Sequence, residues 1–114
     1  FNVVVRNQDD HTKNISFLMD SSGQWSLSPA YDMGFAYNPL GAWTATHQMS
    51  INGKFDNITR ADLLSLANAN NIKNASEIID QVCETTAGWP KLAKSCGVPQ
   101  KMIDGIVPHM LLSI

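Results

Sequence analysis

The feature that most constrains this chain is a change of pattern near Asp56 to Thr59, after which apolar residues recur at helical spacing and before which they do not. Thr59 followed by Asp62 has the form of a capping box. It predicts a helix that turns Leu63, Leu64, Leu66 and Ala67 inward and stops near Asn70 and Asn71. Asn74 with Glu77 predicts the start of a longer helix, along which Ile78, Ile79, Val82, Cys83, Thr86, Trp89, Leu92, Ala93 and Cys96 share one stripe. Pro90 should kink that helix and Gly97 should end it. A last helix starts at Pro99 and stacks Met102, Ile103, Ile106, Val107 and Met110 on one face, with Pro108 ending or bending it. The stripes read as core, because Met and Trp at helical spacing serve a buried face more readily than a ligand.

The first half is built from turns and polar clusters. Ile15 to Met19 and Gln24 to Ser28 flank Asp20-Ser21-Ser22-Gly23 and predict a hairpin with a loop of about four residues. A second short strand pair involves Thr44 to Ile51 and ends at the turn Asn52-Gly53. Between the two, Pro29, Gly34, Pro39 and Gly41 punctuate a long loop, a class of segment that often carries function. A length of 114 residues suits one modest domain. The net charge of -2 offers no electrostatic footprint for nucleic acid, and no apolar run approaches the roughly 20 residues of a membrane span. We expect a soluble protein. Cys83 and Cys96, thirteen residues apart in one helical pattern, would lie about 20 Å from each other. They should therefore be unpaired, as reduced thiols in a cytoplasm are.

Chemistry is concentrated in Arg6-Asn7-Gln8-Asp9-Asp10-His11-Thr12-Lys13-Asn14. Two carboxylates, an imidazole, an ammonium and several amides repel or compete unless a cation or an anionic ligand organises them, which points to phosphate handled with a divalent metal. A solvated polar turn is the plain alternative. Asp9 and Asn14 are five residues apart, the interval that separates the base from the metal-ligating amide in kinase catalytic loops. A further carboxylate is needed to hold magnesium beside the phosphates, and Asp32 in Tyr31-Asp32-Met33-Gly34 supplies it after an intervening hairpin. There, a glycine permits a backbone excursion after the ligand. For Asp32 the plain alternative is a helix cap or an Asx turn.

Three segments carry a family resemblance: Asn7 to Phe17, Leu27-Ser28-Pro29-Ala30-Tyr31-Asp32, and Met49 to Lys54. Together they resemble the HipA-type serine/threonine kinases, strongly to Lys54 and more loosely through the helices. The resemblance implies an α+β, mainly α fold: the C-terminal lobe of a kinase-like protein. Residues 1–54 would hold catalytic and metal-binding loops with short β-hairpins, and residues 55–114 a helical subdomain. It also implies that Val3-Val4-Val5, despite its strand propensity, is the end of a buried helix entering the loop. By resemblance Asp9 is the general base, Asn14 and Asp32 ligate magnesium, and His11 contacts the phosphates of ATP. Lys13 is either a phosphate partner or an ion-pair partner of Asp10, and Asp10 orients the loop through backbone hydrogen bonds. His47 and His109 have no matching ligands and read as structural.

The cofactors implied are ATP and Mg2+, and the reaction is transfer of the γ-phosphate to a Ser or Thr of a protein. The family further implies the toxin of a cytoplasmic toxin–antitoxin pair, restrained by a HipB-like DNA-binding antitoxin, with translation machinery or an aminoacyl-tRNA synthetase as substrate. At this length no complete two-lobed kinase fits, and neither a Gly-rich phosphate loop nor a Val-Ala-Ile-Lys-like strand is present. The chain, which opens at Phe1 inside an apolar segment, therefore reads as a fragment, inactive and weak in nucleotide binding by itself. Two other classes compete. Asp9, Asp10, His11 and Asp32 could form a metal-dependent phosphohydrolase site, or the domain could be a non-catalytic module that docks antitoxin or promoter complexes through its helices.

Overall fold

The computed structural model describes residues 1–114 and opens with α1 (Asn2–Val5). Three consecutive β-branched residues are poor helix formers, yet Val3, Val4 and Val5 are helical because all three are buried and tertiary packing outweighs propensity. The helix suggested by resemblance is therefore found. It ends at Arg6, which takes the left-handed conformation at φ 55°. That geometry is unfavourable for a side-chain-bearing residue. Arg6 is held there by Nε donating to the His109 carbonyl at 3.1 Å and by its guanidinium lying 4.4 Å from the centre of the Tyr37 ring. The C-terminal end of the chain closes on the same helix, where the Leu111 N–H donates to the Val4 carbonyl at 2.8 Å.

Past a single-turn 3-10 helix at Thr12–Asn14, strands β1 (Phe17–Met19) and β2 (Trp25–Leu27) pair antiparallel, with Phe17 opposite Leu27 and Met19 opposite Trp25. Gly23 at φ 83° completes the turn, accepting the left-handed geometry that its lack of Cβ allows. The strands are shorter than the sequence suggests, and every residue in them is exposed. At the second predicted hairpin only the turn forms. Asn52 and Gly53 adopt positive φ, as a tight I′-type turn requires, and Ile51 and Lys54 make one isolated bridge. The segment from Thr44 to Ser50 is irregular: its carbonyls at Thr44 and Ala45 and its amide at Gln48 are bonded by side chains of the polar loop rather than by a strand.

Helix α2 (Arg60–Ala69) starts on the capping box read from sequence: Thr59 Oγ1 bonds at the Asp62 N–H and the Asp62 carboxylate accepts from the Thr59 N–H. Asp62 is also buried, and it accepts from Lys54 Nζ at 2.8 Å and Asn52 Nδ2 at 2.9 Å, fastening the tight turn to the helix. Those bonds, with Lys54 first, hold its carboxyl far below the usual range. The long helix is instead two, α3 (Ala75–Ala87) and α4 (Trp89–Ser95), joined at Gly88. Pro90, expected to kink the helix, interrupts it: Gly88 keeps right-handed helical dihedrals at φ -76°, and Pro90 sits in the first turn of the segment that follows, where its missing N–H has no partner to lose. Asn74 is left-handed at φ 58° and makes no side-chain cap. Gly97, at φ 83°, follows the end of α4 as expected. Helix α5 (Gln100–Ile106) passes into a 3-10 turn at Val107–His109 that contains Pro108.

The core is thin. Val3, Val4, Val5, Ile58, Ala67, Ile79, Ala93 and Ile103 are its buried apolar members. Several residues assigned to core stripes face solvent instead, among them Ile78, Leu92 and Met102. The radius of gyration of 15.7 Å exceeds the roughly 13 Å of a compact domain this long. Cys83 and Cys96 are both unpaired. No helix is long and apolar enough to cross a membrane.

Candidate functional site

The polar loop is not a solvated turn, because Asn7, Gln8 and Asp10 are all buried while Asp9, His11 and Asn14 are half-buried and Thr12 and Lys13 exposed. The inward residues are anchors. Asn7 forms a parallel bridge with Ala36, and its Nδ2 donates to the Asp32 carbonyl at 3.1 Å, joining the loop to the Tyr31–Gly34 segment. The Gln8 N–H donates to the Ala36 carbonyl at 3.0 Å, and its side-chain amide, assigned with the nitrogen toward the two acceptors that face it, reaches the carbonyls of Thr44 and Ala45 at 2.8 and 3.1 Å. Asp10 places Oδ2 2.8 Å from His47 Nδ1 and accepts the Gln48 N–H on Oδ1 at 2.7 Å. Buried polar groups must be bonded in this way or cost stability.

The outward residues are less fully engaged by the chain. Asn14 Nδ2 donates to the Asp9 carbonyl at 3.0 Å, closing the loop across five residues and leaving Oδ1 without a protein donor. Asp32 is left-handed at φ 54°, and its carboxylate takes no hydrogen bond from the chain, so it is neither a helix cap nor an Asx turn. The backbone excursion falls on Asp32 itself, not on Gly34, since aspartate tolerates this region better than most residues. Asn14, Asp32 and His11 line one cavity of about 230 Å³ together with Asn7, Asp10 and Tyr31. His11 Nδ1 is buried with no hydrogen-bond partner in the chain.

The carboxylate of Asp9 makes no hydrogen bond or ion pair, and Asp9 is not among the residues lining the cavity. Lys13 also lies outside the lining; its carbonyl accepts the Tyr31 hydroxyl, which ties the loop to the second segment from the other side. Lys13 does not pair with Asp10, whose carboxylate is already engaged by His47. Asp10 does take a backbone hydrogen bond, but from Gln48 and not from its own loop. The oxygens that remain free, Asn14 Oδ1 and the Asp32 carboxylate, are hard donors of the kind magnesium selects, so the residues fit that ion. No three His, Cys, Asp or Glu side chains gather as a metal cluster anywhere in the chain.

Asn7, Gln8 and His47 hold the site and were not singled out from sequence as site residues. Only the first two carried a local signal, their place inside the polar run. His109 is structural, stacked on Phe35 at 6.3 Å between ring centres and tilted against Tyr37 at 5.2 Å.

The family model of the HipA-like C-terminal domain matches residues 1–107. The chain belongs to that family. No curated protein and no solved structure matches it. In this HipA-like domain the match takes in the polar loop, the Asp32 turn, the hairpin and α1 to α5. Membership thus covers the whole site as well as the helices behind it.

Proposed function

We propose that this HipA-like domain supplies the catalytic and metal-binding loops of a serine/threonine kinase that moves the γ-phosphate of ATP to a protein hydroxyl. The observation that carries the reading is the shared cavity of Asn14, Asp32 and His11, with Asn7 bonding one segment to the other. Asn14 Oδ1 and the Asp32 carboxylate would hold magnesium, which when bound neutralises charge on the transferring phosphoryl group. His11, which lines the same cavity, would contact the phosphates. Asp9 would accept the proton of the attacking hydroxyl, for which an unengaged carboxylate is needed. Exposed Lys13 would serve as a mobile phosphate partner. The phosphate-covering loop and its lysine would come from a separate nucleotide-binding half, so this domain alone would be inactive.

The same reading makes the kinase the cytoplasmic toxin of a toxin–antitoxin pair, held by a HipB-like DNA-binding antitoxin and acting on a component of the translation machinery. A phosphohydrolase is disfavoured, since it would need a His and carboxylate cluster and none assembles. The test is Asp9→Asn in the intact protein, with phosphoryl transfer from ATP measured beside thermal unfolding. Turnover should fall by about 100-fold or more while Tm holds, because the Asp9 carboxylate has no protein partner to lose. Near-normal turnover would remove Asp9 as the base. Antitoxin binding that survives Asp9→Asn and Asp32→Ala, with no transfer by the parent protein, would favour a docking module.

A further inference from the structure

We propose that Asp10 and His47 act together as positioning residues that hold the Asp9 peptide in place, an inference that rests on the kinase reading of the site. Asp9 stands between two pinned neighbours. On one side Gln8, 1% exposed, is bonded through both backbone and side chain to residues 36, 44 and 45. On the other, Asp10, 5% exposed, spends both carboxylate oxygens on residues 47 and 48. Asp9 itself makes no side-chain bond. The arrangement immobilises the main chain that carries the base while leaving the base unencumbered, which is what proton transfer to a fixed geometry requires.

The partner has to be an imidazole or a group of the same shape. A buried carboxylate costs several kcal/mol in lost hydration unless it is paired and hydrogen-bonded, and a carboxylate can only accept, so the proton of the 2.8 Å contact sits on His47 Nδ1. His47 is 5% exposed and is held to Phe55 by its N–H donating to the Phe55 carbonyl at 2.9 Å. The loop is thereby braced against the segment that leads into the Asn52-Gly53 turn, itself fastened to α2 by Asp62. The helical half thus reaches Asp9 through bonded contacts, and a displacement of about 1 Å at such a residue can lower a rate by about 100-fold.

Three substitutions at His47 separate positioning from general stability. His47→Asn puts an amide nitrogen where ring Nδ1 now lies, His47→Gln moves that nitrogen too far along, and His47→Leu removes it. In the intact protein, hydrogen exchange of the amides of residues 9–14 and of Gln48 is measured first, and then phosphoryl transfer from ATP to casein well below Tm. We expect His47→Gln and His47→Leu to raise loop exchange at least 10-fold and to lower kcat at least 10-fold with the KM for ATP within threefold. His47→Asn should restore both to within threefold. Unchanged exchange in the Gln and Leu variants overturns the anchor. Raised exchange with parental kcat overturns the positioning role, as does a loss that His47→Asn fails to restore. If the parent protein transfers no phosphate to casein or to the proteins of a translation extract while exchange responds as expected, the kinase reading fails and the anchor stands. Should His47→Leu not fold, the comparison of Asn with Gln, two polar residues that differ by one methylene, carries the test alone.

Discussion

Asn7→Ala tests whether the two segments of the site form one unit. The Asn7 side chain belongs to a residue 4% exposed and donates through Nδ2 to the Asp32 carbonyl at 3.1 Å and to Asn2 Oδ1 at 3.2 Å. A net hydrogen bond contributes about 0.5–1.5 kcal/mol, so removing two costs about 1–3 kcal/mol. The Asp32 carbonyl lies in an exposed segment where water can replace the lost donor, which limits the penalty for a stranded acceptor and puts the expected loss near the middle, about 2 kcal/mol. At about 4 °C per kcal/mol for a domain slightly above 100 residues, Tm should drop by about 8 °C. The assay is urea unfolding followed by tryptophan fluorescence, with the slope unchanged and the midpoint lowered. Asn14→Ala is the control, because it removes a single bond from a half-buried residue and should cost about 1 kcal/mol or less. On the proposed kinase reading, release of the left-handed Asp32 should also weaken Mg2+ binding, read by titration of the same protein. A loss within about 0.5 kcal/mol, the range of an ordinary surface substitution, or a larger loss for Asn14→Ala than for Asn7→Ala, would refute the reasoning.

Two further outcomes are expected. The carboxyl of Asp62 is depressed by Lys54, then Asn52 and Thr59, so its stabilisation is fully present above the ordinary carboxylate pKa of about 3.9 and is lost as pH falls toward its folded value. Tm measured from pH 6 to pH 2.5 should fall on that acid limb, and Asp62→Asn should flatten it; a parallel pair of curves would show that the bonds do not perturb the group. On α5, Ile103→Ala should destabilise by about 2–5 kcal/mol because Ile103 is 2% exposed. Met102→Ala, at 57% exposure, should stay within about 0.5 kcal/mol, and equal effects in denaturant melts would contradict the assigned faces.

What could be read from the chain was local. The Thr59–Asp62 capping box, the Gly23 and Asn52-Gly53 turns and the Gly97 helix end each depend on residues a few positions apart, and each appears where the pattern puts it. The Asn14 closure onto the Asp9 carbonyl is also local, but the five-residue spacing by itself did not specify that bond. Periodicity went further than it could support in the helices. It aligned Ile78 with Ile79, Leu92 with Ala93 and Met102 with Ile103 as one kind of residue, yet only the second of each pair is buried. A stripe shows which side chains share a face of a helix, and which part of that face is covered depends on the neighbouring elements. Pro90 interrupts the helical pattern where the sequence places it, and a proline that breaks one helix is also well suited to begin the next.

The amino-acid sequence by itself determined the family, the mainly helical second half, the hairpin, and the segments from which the candidate site is proposed, because those depend on short-range spacing and residue type. Tertiary structure alone decided that Asp10 belongs to His47 and not to Lys13 and that Asn7 ties Asp32 to the loop, and burial is why Val3 to Val5 follow the helix implied by resemblance and not their strand propensity. These contacts join residues 25 to 37 positions apart in the case of the two side-chain links. Burial makes them obligatory, since a polar group withdrawn from water needs a partner, but only the folded path of the backbone determines which partner comes within reach.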